Sequence, residues 1–259
     1  MSINSKTIML IHGAFVGVAC WDDWIPYLEN KGYKVIASPW PHKEAPVADL
    51  KKSQPNRSIA DLHIQNLIDH YVKIAKEQDE KPIAIGHSYG GLLTQILLNR
   101  DLVAAGVALH SVPPQGIVPT SLSFYKATWG PLGFFTNPHK SFQFNFKQWQ
   151  YAFSNGQSLE EQKASYDKLV VPESKYISRE ALSKAAHVDW DKPHNPLLII
   201  AGSTDQIMPA AVNKKNFDKY KKNGSVTDFK EFEGANHSVL NLPTWKNHAD
   251  YIADWLERN

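Results

Sequence analysis

The stretch that decides the fold is Ile83-Ala84-Ile85-Gly86-His87-Ser88-Tyr89-Gly90-Gly91. A short apolar run leads to a serine that has a glycine two residues before it and another two residues after it, and a helical pattern begins at Leu92. Small residues at these positions let a strand and the following helix cross closely, which holds the serine on a sharp turn with its hydroxyl accessible. The pattern therefore predicts a nucleophilic serine, Ser88, at the carboxyl end of a strand.

Outside this stretch, short apolar runs alternate with helical patterns, which is typical of a mostly parallel sheet covered by helices on both faces. Ser58 and Asp61 have capping-box spacing and predict the start of one helix, and Pro243 precedes another. The sequence thus predicts an α/β fold with about six strands. The predicted strands are residues 7–11, 34–37, 82–85, 106–109, 197–201 and, more weakly, 228–232.

The stretch 113–194 interrupts this alternation, because it opens with Pro113-Pro114 and is rich in aromatic residues. We predict that residues 1–112 and 195–259 form the α/β core and that residues 113–194 form an inserted helical cap. The simplest role of the aromatic rings is to pack the cap, and a second role is to line a substrate pocket. The candidates for a pocket lining are Phe15, Phe124, Tyr125, Trp129, Phe134, Phe135 and Trp149.

A serine nucleophile requires a histidine base and a carboxylate that orients it. Asp205 follows the predicted strand 197–201, and His237 follows the strand 228–232. The carboxyl ends of parallel strands lie at one edge of a sheet, where catalytic groups collect. No carboxylate follows the strand 106–109, where the chain reads His110-Ser111-Val112. We therefore predict a catalytic triad of Ser88, His237 and Asp205.

Two backbone amides are predicted to hold negative charge that develops on the substrate. The amide of Tyr89 lies at a helix N-terminus directly after the serine. The second donor is expected in the loop His12-Gly13-Ala14-Phe15 after the first strand, with Ala14 preferred and Phe15 as the neighbouring choice. Trp21 and Trp24 follow this loop and are expected to pack in the core.

Composition indicates a small-molecule partner. The 28 Lys and Arg residues nearly balance 26 Asp and Glu residues, and no run of five basic residues indicates nucleic-acid binding. No stretch has the roughly 20 apolar residues that a membrane span needs. The single cysteine and the lack of a signal sequence favour a cytoplasmic location. The sequence does not distinguish a monomer from a homo-oligomer.

No cofactor is expected, because no Gly-rich phosphate loop or dinucleotide fingerprint follows any strand. One segment has metal-ligand residue types, since His187, Asp189, Asp191 and His194 alternate there. Trp190 and Pro193 lie among them, and we interpret the segment as a linker between cap and core. The prediction is that no metal binds.

The motifs at Ala14, Ser88, Asp205 and His237 give the chain a resemblance to the α/β-hydrolase superfamily over nearly its whole length. The loop His12-Gly13-Ala14 with Trp21 in the following helix looks like the branch that contains plant methylesterases and hydroxynitrile lyases, with bacterial relatives. The resemblance implies a helical cap for residues 113–194. It also implies that the antiparallel strands that begin the family's sheet are truncated or missing here, because the first strand starts at Thr7.

Two departures from the family pattern narrow the range of reactions that we expect this chain to catalyse. Dehalogenases and epoxide hydrolases of this fold have aspartate where Ser88 stands, and the lyases of the branch have lysine where this chain has Ser238. The resulting prediction is a carboxylesterase that acts on a small, largely apolar ester. The alternatives are a perhydrolase, thioesterase, acyltransferase or carbon–carbon hydrolase with the same triad, or a ligand receptor without catalysis.

Overall fold

The computed structural model describes residues 3–259, which form one sheet of six parallel strands in the order β2-β1-β3-β4-β5-β6. This confirms the predicted fold class and strand number. The strands 7–11 and 34–37 match their predicted bounds, and the other four lie within two residues of theirs. The strands are β1 Thr7–Ile11, β2 Lys34–Ala37, β3 Ile83–His87, β4 Ala105–Leu109, β5 Leu197–Gly202 and β6 Thr227–Phe232.

Helices cover the sheet on both faces. Every residue of β1, β3, β4 and β5 is buried, as expected for strands that lie inside an α/β sheet. The helices are α1 Trp24–Asn30, α2 Val47–Lys52, α3 Arg57–Ala60, α4 Ile64–Lys76, α5 Tyr89–Asn99, α6 Leu122–Leu132, α7 Phe146–Ala152, α8 Leu159–Leu169, α9 Lys175–Glu180, α10 Ala210–Lys219 and α11 Trp245–Arg258, with 3-10 turns at Val18–Trp21, Lys184–Ala186 and Val239–Asn241. Across residues 3–259, none of these helices is both long and apolar enough to cross a bilayer.

The predicted capping box at Ser58 and Asp61 is wrong. Asn56, two residues earlier, is the N-cap, and its Oδ1 accepts a hydrogen bond from the Ile59 amide at 3.2 Å. The resulting helix α3 is short and ends at Ala60, with Asp61 as its C-cap. A second helix, α4, then starts after His63, so the apolar pattern that predicted one helix spans a break between two.

The indole rings that follow β1 pack in the core, as predicted. Trp21 and Trp24 are fully buried and meet edge to face, with ring centroids 5.4 Å apart. The Trp24 Nε1–H donates to the Leu240 carbonyl at 3.0 Å, which joins α1 to the loop that follows β6. The buried indole N–H therefore has an acceptor while its ring fills the core.

Residues 113–194 hold α6 to α9 between β4 and β5. This segment is tied to the loop after β1, because the Val171 amide donates to the Phe15 carbonyl at 2.9 Å and Val16 pairs with Val170 in an isolated β-bridge. The helical content agrees with the cap interpretation, and the division into core and inserted cap stays a prediction.

The crossing of β3 and α5 depends on Gly86. A Cβ atom on Gly86 would lie 2.1 Å from the Gly90 carbonyl oxygen, which is backbone and cannot rotate away. We predict that Gly86→Ala lowers the free energy of unfolding by about 2 kcal/mol or more, as overpacking does. Gly17→Ala is the matched control, because a Cβ there meets nothing within 4 Å. Urea unfolding of both variants measures the difference, and equal stabilities would contradict the close crossing.

Candidate active site

Ser88 occupies a strained turn between β3 and α5. Its φ is +56° and its ψ −117°, a conformation that residues with side chains rarely adopt. Backbone hydrogen bonds hold it there, since the Ser88 amide donates to the Leu109 carbonyl at 2.9 Å and the Ser88 carbonyl accepts from the Val112 amide at 3.0 Å. The strain is thus supported by the neighbouring strand, and it presents the Ser88 hydroxyl above the sheet edge.

The structure brings the three predicted triad residues together in one buried chain of hydrogen bonds. The Ser88 Oγ lies 3.0 Å from the His237 Nε2, and the His237 Nδ1 lies 2.6 Å from the Asp205 Oδ2. Because the carboxylate accepts, Nδ1 carries the proton and Nε2 is free to accept the serine proton. This arrangement can activate a serine hydroxyl as a nucleophile.

Asp205 has a further partner that the sequence did not predict. His110, directly after β4, donates from Nδ1 to the Asp205 Oδ2 at 2.8 Å. The other carboxylate oxygen, Oδ1, accepts from the amides of Ile207 at 3.0 Å and Met208 at 2.7 Å. Burial alone would raise the pKa of Asp205, but the charge of His237 and the hydrogen bonds from the rings of His110 and His237 outweigh it and hold the pKa well below its usual range. The carboxylate is therefore ionised throughout the neutral range.

A signal for His110 was present in the sequence, because it follows a strand at the same sheet edge as Ser88 and Asp205. The residues after β4 include no carboxylate, but an imidazole at this edge can donate to a carboxylate that follows the neighbouring strand. The His110 ring is fully buried, and a Cβ on Gly202 would lie 2.4 Å from its Cε1. Gly202 thus leaves the space that the ring fills.

His87, next to the serine, also contacts the site. Its Nε2 lies 3.0 Å from the His237 carbonyl oxygen, so Nε2–H donates to the backbone that carries the imidazole of His237. Burial, together with the charges of His237 and His110, lowers the pKa of His87 well below its ordinary value. His87 therefore acts as a neutral donor that fixes the position of the His237 loop.

The two loops that were predicted to supply amide donors lie beside the serine. Tyr89 is the first residue of α5, so its amide has no acceptor within the helix. The Phe15 amide donates to the buried Glu173 Oε2 at 3.3 Å, so it already has an acceptor within the chain. This favours Ala14 over Phe15, and the donor role of Ala14 stays a prediction. Lys43 neutralises Glu173 through a buried ion pair that the sequence did not reveal.

A cavity of about 280 Å³ opens beside Ser88. Its walls are mostly apolar and come from the loop after β1, the segment after β4, α6 and the loop after β5. Two of the seven predicted pocket residues, Phe15 and Phe124, line it, and Phe153, Ile207 and Met208 were not among the predicted residues. The lining includes Ala14, Phe15, Ser88, Tyr89, Val112, Ile117, Phe124, Thr128, Leu132, Phe153, Ile207 and Met208.

The other five predicted pocket residues do not line this cavity. Tyr125, Trp129, Phe134 and Phe135 are exposed on the outside of α6 and the turn that follows it. Trp149 is buried but lies one layer behind the cavity, where its ring stacks on Phe153 with centroids 4.1 Å apart. The structure therefore does not bring these five residues to the cavity at Ser88, because aromatic content alone does not indicate which face of a helix points inward.

Within residues 3–259, one group of three potential ligands could surround a metal ion, namely His110, Asp205 and His237, whose ligand atoms lie within 4.8 Å of one another. The same atoms form the hydrogen bonds described above, so a metal would have to displace them. Asp191, from the alternating segment, instead pairs with Lys221 at 3.2 Å, and the His194 Nδ1 lies 2.7 Å from the Asn195 carbonyl. The absence of a metal stays a prediction.

The chain belongs to the alpha/beta hydrolase family, whose sequence profile matches residues 8–254. Among curated proteins it is 32% identical over 136 residues to norfluorocurarine synthase 1 of Strychnos nux-vomica, which is 49% of this chain and 47% of that protein. It is 31% identical over 114 residues to methylesterase 8 of Arabidopsis thaliana, which is 41% of this chain and 38% of that protein. The chain spans about half the length of the curated relatives it matches. The predicted resemblance to the plant methylesterase branch is confirmed.

Solved structures with the same fold align with nearly the whole length of this chain. The monoacylglycerol lipase of Paleococcus ferrophilus aligns with a TM-score of 0.72 and 19% identity, and the alignment covers 98% of this chain and 95% of that one. At this level of identity the similarity shows the fold alone.

Buried histidines in and around the site predict a stability that depends on pH. Burial, with the charge of Lys43, lowers the pKa of His12 to about 3, and burial, with the charge of His110, lowers that of His248 to about 4. The pKa values of His87 and His110 are also lowered, mainly by burial. In the unfolded chain these rings take up protons below about pH 6.5, whereas the folded protein does not.

We therefore expect full stability above about pH 6.5 and a loss on acidification of about 1.4 kcal/mol per pH unit for each such histidine. His248→Phe should reduce this slope, because the ring packs against Phe232 with centroids 3.9 Å apart and phenylalanine can take its place. His187→Gln, at an exposed position, is the control. Urea unfolding at pH 7.5 and pH 5 measures the slope, and a slope unchanged by His248→Phe would contradict the assignment.

Proposed function

We propose that the chain is a serine hydrolase of the carboxylesterase type, with Ser88 as nucleophile, His237 as general base and acid, and Asp205 as the carboxylate that orients the base. The observation that carries this proposal is the continuous chain Ser88 Oγ, His237 Nε2, His237 Nδ1, Asp205 Oδ2, with contacts of 3.0 Å and 2.6 Å, at the edge of an apolar cavity. Family membership and the methylesterase among the curated relatives support ester chemistry.

In the proposed reaction the Ser88 Oγ attacks the ester carbonyl carbon while its proton passes to the His237 Nε2. The amides of Ala14 and Tyr89 donate to the carbonyl oxygen as it becomes an oxyanion. When the intermediate collapses, the bond to the alcohol oxygen breaks and His237 returns the proton to that oxygen. A water molecule then repeats the sequence on the acyl-enzyme, so that the acid leaves and Ser88 regains its hydrogen.

The size and lining of the cavity favour a substrate with a small and largely apolar acyl or alcohol group. Its volume of about 280 Å³ lies just below the lower limit of about 300 Å³ for ligand pockets. Phe124, Phe153 and Ile207 contribute apolar surface, while few polar side chains point into it. A charged or strongly polar substrate would lose its hydration there without compensation.

The serine is expected to react with a fluorophosphonate probe, because only an activated hydroxyl attacks such phosphorus rapidly. Labelling should occur at Ser88 and disappear in Ser88→Ala, as read by intact-protein and peptide mass spectrometry. The matched control is Ser111→Ala, which removes a nearby buried hydroxyl outside the triad. Labelling at another residue, or none in folded protein, would falsify the triad.

Asp205→Asn should retain the fold and lower kcat on an activated ester by about 10² to 10⁴, the scale on which triads lose activity without their carboxylate. In the parent protein His237 and His110 both donate to Oδ2, and the amides of Ile207 and Met208 donate to Oδ1. Asparagine has only one acceptor oxygen, so its NH2 group must face one of these two donor pairs, and the ionised carboxylate that orients the imidazole is lost. Asp191→Asn, at an exposed position, is the control. Near-normal turnover of Asp205→Asn, or loss of activity with a chelator, would contradict this role.

Substrate ranking should depend on the rings that line the cavity. Phe124→Ala is expected to change the ratio of kcat/KM for long against short acyl esters. The change should correspond to about 1–3 kcal/mol in activation free energy, the value of one methylene group in an apolar pocket. Tyr125→Ala, the adjacent ring on the outside of α6, should leave the ratio unchanged. Equal shifts in both variants would show that the cavity is not the acyl site.

A further inference from the structure

The outside of α6 carries an exposed apolar surface, which we call the outer patch. It consists of Leu122, Tyr125, Trp129, Phe134 and Phe135, of which Phe135 is 91% exposed, Leu122 86% and Trp129 68%. The rings of Trp129 and Phe135 lie 6.5 Å apart, and together with Phe134 they line a groove of about 220 Å³. Rings of this size are costly to leave in water, and clustered exposure of this kind marks an interaction surface.

Helix α6 is apolar on both of its faces. The inner face buries Phe124, Thr128 and Pro131, which line the cavity at Ser88. The outer face presents Leu122, Tyr125 and Trp129, at the spacing of three, four and seven residues that places side chains on one side of a helix. A surface helix normally has polar residues on the face turned away from the core. Packing inside the chain explains the inner face of α6 and leaves the outer face unexplained.

The charged side chains of the segment that carries the outer patch have one sign. Residues 102–159 contain three lysines, Lys126, Lys140 and Lys147, and no aspartate or glutamate. Lys126 is exposed on the outer face of α6 between Leu122 and Trp129. The Arg179 guanidinium lies 6.0 Å from the centre of the Phe134 ring. The three lysines lie far apart in the sequence and form no basic run. The segment differs from the rest of the chain in its lack of acidic residues.

We propose that the outer patch docks the protein on an anionic lipid surface, with the aromatic rings at the level of the headgroups and the lysines against the lipid phosphates. Apolar and aromatic side chains beside lysines are the composition of helices that lie in a membrane interface. A second copy of the chain fits this surface less well. A two-fold contact through the patch would bring the Lys126 side chains of both copies together. Residues 102–159 contain no acidic residue that could pair with these two charges.

Docking in this orientation bears on access to the site. Two further exposed apolar residues, Val118 and Leu182, line the cavity at Ser88. An apolar molecule that leaves the lipid near α6 therefore meets apolar side chains on its way to the cavity. Binding to the surface does not depend on the proposed ester chemistry, and it is tested without any substrate.

The test is co-sedimentation of the full chain with vesicles of phosphatidylcholine mixed with phosphatidylglycerol, compared with vesicles of phosphatidylcholine alone. We expect the chain to bind the anionic vesicles more strongly and to dissociate as salt rises. Phe135→Ser should weaken the partition coefficient about tenfold, because a ring leaves the interface. Lys126→Gln should weaken it about fivefold on anionic vesicles only. Leu159→Ser, an exposed apolar residue of α8 outside the patch, is the matched control and should bind as the parent does.

Circular dichroism and fluorophosphonate labelling of Ser88, both without vesicles, show that each variant is folded and has an intact site. Failure of the labelling in the parent protein contradicts the proposed function and leaves the docking result standing. Three results overturn the docking proposal: no binding of folded parent protein to anionic vesicles, equal losses for Phe135→Ser and Leu159→Ser, or a dimer in sedimentation velocity that Phe135→Ser dissociates.

Discussion

The buried carboxylate of Asp205 is the group on which the site depends. An ionised carboxylate away from water is unstable unless donors surround it, and here His237, His110 and the amides of Ile207 and Met208 supply them. These donors come from the ends of β4, β5 and β6, so satisfying one charge aligns three loops at the same edge of the sheet. The orientation of His237 toward Ser88 follows from that alignment.

A second constraint acts from the opposite side, through the strained backbone of Ser88. A positive φ at a residue with a side chain persists only where neighbours hold it. The Leu109 carbonyl and the Val112 amide do so from the end of β4, one residue on either side of His110 and Ser111. The end of β4 thus supports both the serine and the carboxylate, although neither residue lies on it. His110 also has a positive φ, of +46°, and it is held by its amide, which donates to the Ile200 carbonyl at 2.7 Å, and by its ring, which donates to Asp205.

The helical segment 113–194 is joined to the site by polar contacts as well as by apolar packing. Glu173 accepts from the Phe15 amide and is paired with Lys43, so a charge from this segment sets the conformation of the loop beside the serine. Phe153 packs edge to face against the His237 ring at 4.7 Å and is backed by Trp149. The segment therefore shapes the cavity and supports the base, while the outer side of α6 faces away from both.

The sequence by itself determined the parallel sheet and the positions of Ser88, Asp205 and His237, because each of these depends on local spacing at the end of a strand. Tertiary structure alone decided what contacts them. The partnership of His110 with Asp205 joins residues 95 positions apart, and the ion pair of Lys43 with Glu173 joins residues 130 apart. The same holds for the aromatic residues of α6. Helical periodicity shows that Phe124 and Trp129 lie on different faces, but which face turns toward the cavity depends on how the helix packs on the sheet.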